Sequence, residues 1–94
     1  MKYKRRFTAV DAIEIGYHYP DGSDNEWFMD AVTRNEIITH NMGKFHNPNK
    51  SPKIEVVTRD GIEVGEIGDF IMRDTIGHIH AVKRCQFLAN YEAV

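Results

Sequence analysis

Cysteine is nearly absent from this chain. Cys85 is the only one, so no intrachain disulfide can form and a reducing compartment is expected. Long apolar runs are missing too. No stretch approaches the roughly 18 residues a membrane span requires, so no membrane partner is expected. The basic N-terminal residues Lys2, Lys4, Arg5 and Arg6 have no apolar segment behind them, and no signal peptide is read. Nor is there a strong excess of one charge. The net charge is −2 at pH 7, whereas a general nucleic-acid binder carries a positive excess that neutralises phosphates. Nucleic acid is therefore not an expected partner. The basic N-terminal group reads as a charged strand edge that discourages sheet-to-sheet association. A soluble, cytoplasmic protein is expected.

What the chain has is ordinary globular composition in one small domain, residues 1–94. Hydrophobic residues make up 41% and charged residues 28%, enough for a packed core. A domain of this size keeps much surface for its volume, which makes a homo-oligomer, a dimer or higher, an expected source of extra stability.

The expected fold class is α+β: an antiparallel sheet of about five or six strands with one main helix packed on one face. Lys2 to Ile15 alternates as a strand, with Asp11 interrupting the face formed by Phe7, Ala9, Ile13 and Ile15, so a bulge or change of face is expected there. Ser23-Asp24-Asn25-Glu26 has the form of a capping box. It opens the expected helix, about Asp24 to Arg34, whose apolar stripe is Trp27, Phe28, Ala31 and Val32. Glu36 to Asn41 reads as a short strand, followed by a polar loop from Gly43 to Pro52. Lys53 to Arg59 and Ile62 to Val64 flank an Asp60-Gly61 hairpin turn. Phe70 to Met72 and Ile79 to Val82 follow as strands. Phe87, Ala89, Tyr91 and Ala93 then line one face of an expected terminal strand, which should pair antiparallel with the first.

The residues at both ends carry a family likeness. Tyr3-Lys4 runs into Val10 and Ala12, and Val57-Thr58-Arg59-Asp60-Gly61 is a strand followed by a glycine turn. The closing block has Gly68-Asp69-Phe70-Ile71, Gly77, Phe87 and Tyr91-Glu92 in that order. In these features the chain resembles the small PGDYG-type proteins of bacteriophages and prophages. Gly16 to Pro52 matches only in having a helix. Where the family pattern has Gly-Glu, this chain has Gly77-His78, and His80 stands where an aromatic is common. The resemblance implies a viral accessory protein with no established catalysis; if phage-encoded, it would act in the host cell cytoplasm, and no cofactor is expected.

His78-x-His80 is the one pair with metal-like spacing, because residues two apart on a strand face the same side. His46, His40, Asp69 and Cys85 are the candidates to complete a ligand set, with His46 delivered by the long loop. No Glu follows at the short interval a cupin-like site needs. The blander reading, two polar residues flanking a buried Ile79, is preferred. Cys85 reads as a small buried hydrophobe rather than a nucleophile, since no partnered base is visible. Glu63, Glu66 and Asp69 read as solvated turn residues, Gly65-x-x-Gly68 as structural glycines, and Trp27 and Phe28 as core.

No catalytic constellation emerges, so the leading expectation is a non-enzymatic phage accessory or binding protein. It would recognise a host protein or a small anionic metabolite, such as a nucleotide immune signal. The candidate ligand contacts are His46, His78, His80, Arg73 and Lys44. Two alternatives remain: a small metal-dependent enzyme or metal-binding protein using His78, His80 and His46, and a virion or assembly component. In the expected dimer, leftover apolar residues such as Phe45, Ile76 and Leu88 are covered, and two copies of the Gly43 to Pro52 loop lie near a shared axis.

Overall fold

The computed structural model describes residues 2–5 and 8–93. The fold is α+β, with eight described strands: β1 (Lys2–Arg5), β2 (Thr8–Glu14), β3 (Ile37–His40), β4 (Lys53–Thr58), β5 (Gly61–Glu66), β6 (Phe70–Arg73), β7 (Ile79–Val82) and β8 (Glu92–Ala93). They do not form the single sheet expected. A five-stranded antiparallel sheet runs β7-β6-β2-β1-β8, and a separate three-stranded one runs β3-β4-β5. The first helix, α1 (Glu26–Thr33), lies where the apolar stripe places it; the second, α2 (Arg84–Asn90), was not expected.

The alternation of β2 and β6 explains the layering. Ile13 pairs with Ile71, and both join Ile15, Trp27, Phe28, Ala31, Ile37, Ile54 and Val56 in a core between the five-stranded sheet, α1 and the three-stranded sheet. Ala12 pairs with Met72 on the opposite face, where Val10, Phe70 and Phe87 form a second core under α2. Phe87 stacks between Phe70 and Tyr91, with ring centroids 4.2 and 4.6 Å away.

Asp11 causes no change of face. It accepts from Arg73 across the ladder at 2.6 Å, and the Arg73 guanidinium lies 5.4 Å from the Trp27 ring centroid. The polar interruption is a cross-strand ion pair at the rim of an apolar face. The capping box does not form. Ser23–Asn25 is a 3-10 turn leading into α1, neither cap makes a side-chain bond to the helix, and Asn25 Nδ2 instead donates to the Asp21 carbonyl.

The expected terminal strand is mostly helix. From Lys83 to Ala93 there is no β-branched residue, and Arg84, Gln86, Leu88 and Ala89 are good helix formers. The helix places Phe87 and Tyr91 one turn apart on the same side. Only β8 remains as strand, and it pairs antiparallel with β1 through Tyr3–Ala93 and Lys4–Glu92. The two ends therefore meet as expected, over a shorter length.

The loop following β3 is tied down by named bonds. The Asn41 side chain donates to the carbonyls of Asn47 and Lys50 and accepts from the Asn47 N–H, while Tyr17 Oη donates to the Lys50 carbonyl. Asn41 itself sits at φ 55°, a left-handed conformation that asparagine tolerates. Gly65 is structural for a different reason: a Cβ there would lie 2.5 Å from Ile15 Cδ1, so the close packing of β5 on Ile15, just past the end of β2, needs glycine.

Phe45, Ile76 and Leu88 are exposed at scattered places, on the long loop, the β6–β7 turn and α2. A contiguous apolar patch lies elsewhere, on the outer face of the three-stranded sheet. There Ile38 and Val64 flank Glu55, and Val57 pairs with Ile62, all four apolar side chains being exposed. Among the described residues, no helix is long and apolar enough to cross a membrane.

Candidate functional site

The β6–β7 connection, Asp74-Thr75-Ile76-Gly77-His78, is a tight turn held by one carboxylate. Asp74 Oδ1 accepts from the backbone N–H groups of Ile76 and His78 at 3.1 and 2.9 Å, and Gly77 adopts φ 91°. With Oδ1 used in this way, Oδ2 stands 3.6 Å from Nε2 of His80, the second residue of β7. The other ring nitrogen of His80, Nδ1, lies 3.6 Å from Glu63 Oε2 on β5. Glu63 is itself fixed, because its Oε1 accepts from the Ala81 N–H at 2.9 Å. Ala81 belongs to the edge strand of the five-stranded sheet, so this bond joins the two sheets.

His78 lies beside His80, ring edge toward face, with centroids 6.5 Å apart. Asp74, His78 and His80 each present one donor atom, and the three atoms fall within 4.8 Å of one another. His78 is exposed, whereas Asp74 and His80 are half-buried. Two imidazoles and a carboxylate suit a first-row divalent ion.

Next to this group is a cleft of about 370 Å³, lined by the end of β4, the β4–β5 turn, Glu63 and Gly77 to His80. Its polar lining includes Arg59, Asp60, Glu36 and the two histidines. Glu36 is paired with Arg34 at 2.9 Å. Arg59 is exposed and has no ion pair among the described residues.

Of the expected site residues, the structure brings together His78 and His80 and leaves the others apart. His46 does not join them. Its ring stacks on Tyr17 at 4.6 Å, it contacts His18 edge-on at 5.9 Å, and its Nδ1 hydrogen-bonds the Gly43 carbonyl. Arg73 is committed to Asp11, and Lys44 lies 5.7 Å over the Phe45 ring. His40 pairs with Glu55 on the outer face of the three-stranded sheet. Cys85 is exposed on α2, not buried as expected. Trp27 and Phe28 are core residues.

Asp74 and Glu63 are the residues that sequence reasoning missed. Asp74 carried a usable signal, since Asp three positions before a glycine reads as a turn whose side chain caps the backbone. Glu63 carried none, because its role depends on how the two sheets pack. Comparison with protein-family models, with curated proteins and with solved structures gave no match.

Proposed function

We propose that this protein is a non-enzymatic binding domain that takes a small anionic ligand in the cleft beside the β4–β5 turn. The resemblance to PGDYG-type phage proteins supports an accessory role in an infected cell. The observation that carries the reading is Arg59: a guanidinium at the cleft with no ion pair among the described residues. A planar guanidinium with free donors suits a carboxylate or phosphate group. The test is a thermal-shift screen of mono- and dinucleotides and dicarboxylates, followed by calorimetry on any hit. Arg59→Ala should weaken a true ligand by about tenfold or more, the worth of one charge-assisted hydrogen bond. A hit whose affinity ignores this substitution, or no hit at millimolar ligand, removes the reading.

The outer face of the three-stranded sheet favours self-association as an additional property. It combines the apolar patch with polar groups paired within the face, His40 hydrogen-bonded to Glu55 and Lys53 opposite Glu66. A second copy can meet such a face without net repulsion. Sedimentation at micromolar concentration checks it, with Val57→Lys as the variant that should dissociate the dimer; a strict monomer overturns it.

A further inference from the structure

We infer that Asp74, His78 and His80 form a binding site for one first-row divalent cation of the zinc type. This site shares His78 and His80 with the lining of the cleft, but it takes a cation and is tested with the metal alone, so its failure and that of the anion reading are told apart. The first support is the ligand set. In a tetrahedral zinc site with bonds near 2.0–2.1 Å, neighbouring ligand atoms are about 3.3 Å apart. Asp74 Oδ2 and His80 Nε2, at 3.6 Å, already stand close to that separation. His78, exposed at the end of the turn, brings a third donor atom within 4.8 Å of both. Three protein ligands leave a further position for water or a guest.

The second support comes from the groups around the ligands. Metal-binding histidines usually have their other ring nitrogen held by a carboxylate or carbonyl, which fixes the tautomer and aims the ring. Glu63 stands on that side of the ring, its Oε2 3.6 Å from Nδ1 of His80, a little beyond hydrogen-bond length, and its Oε1 anchored by the Ala81 N–H. Asp74 is aimed in the same manner, because two backbone N–H groups engage Oδ1 and leave Oδ2 for the ion. With neutral imidazoles, Asp74 and Glu63 bring two negative charges to one spot, and a divalent cation balances them.

Untagged full-length protein, dialysed against chelator, should bind one equivalent of Zn²⁺ by calorimetry, and Co²⁺ should give a d–d absorption spectrum. His78→Ala and His80→Ala should each weaken Zn²⁺ by at least about tenfold, and Glu63→Gln by about 10- to 100-fold as an orienting residue. His46→Ala should change nothing. His78 is exposed, so its variant reports on binding even if substitution of Asp74 loosens the turn. Absence of Zn²⁺ and Co²⁺ binding overturns the site, leaving His80 as a bridge between two carboxylates. Binding that survives both His78→Ala and His80→Ala, or that His46→Ala weakens equally, overturns it too.

Discussion

Strand β6 has an aspartate at each end, and the two behave in opposite ways. Asp69, just before the strand, is not the solvated turn residue expected: it is 9% exposed and uses both oxygens internally. Oδ2 accepts from the Glu66 N–H and the Lys83 ammonium, and Oδ1 accepts from the Arg84 N–H at the start of α2. Its backbone is tied as well, with the Asp69 carbonyl accepting from the Ile15 N–H. Asp74, just after the strand, satisfies only the turn with one oxygen and turns the other toward His80. A buried carboxylate saturated with donors is a structural joint, here fastening the β5–β6 turn to the start of α2. A half-used one beside two imidazoles is available for chemistry.

Replacing each aspartate should separate these roles, and Asp69→Ala should have the largest effect. It leaves the N–H groups of Glu66 and Arg84 without their acceptor, and we expect a loss of about 3 kcal/mol in urea denaturation. Lys83 adds little to that figure, being 56% exposed. A loss under about 1 kcal/mol would erase the contrast.

A smaller effect should appear in acid. Burial, the largest single influence, pushes the Asp69 carboxyl up, and the Glu66 and Arg84 backbone N–H groups pull it down. With the Lys83 hydrogen bond and charge, they hold the group below the ordinary 3.8. A carboxyl depressed in the folded state stabilises the protein fully above its unfolded pKa, and that stability is lost as pH falls through the folded pKa. The stability gap between the natural chain and Asp69→Asn should therefore hold from pH 7 to about pH 4 and shrink below it. A gap that stays constant to pH 2 would contradict the assignment.

The smallest expected change in stability is at the other end of the strand. Asp74→Asn keeps an oxygen for the turn N–H groups, so it should cost about 1 kcal/mol or less. It should nonetheless remove the rise in Tm that Zn²⁺ gives the natural chain. Melting curves with and without the metal read both quantities.

The elements legible in the sequence were those set by local pattern. Trp27, Phe28 and Ala31 marked α1, Asp60-Gly61 marked the β4–β5 hairpin, and β6 and β7 lie where their apolar runs suggested. Two-residue and four-residue spacing both fit Phe87 and Tyr91, so spacing alone does not separate strand from helix there; the lack of β-branched neighbours is the signal that does. The division into two sheets was not legible, because strand pairing depends on long-range register rather than on any one segment. The candidate site was half legible. His78 and His80 announced themselves by spacing, whereas the role of Glu63 arises only from the contact of β5 with β7.

The pairing of β1 with β8 has a kinetic consequence. Tyr3 and Ala93 meet across almost the whole chain, whereas the β4–β5 hairpin closes over a two-residue turn. Loop-closure entropy delays the first contact and favours the second, so the three-stranded sheet can form early and the β1–β8 seam last. On a ribosome the seam cannot close until Ala93 has emerged, and until then the outer edge of β1 lacks its neighbour.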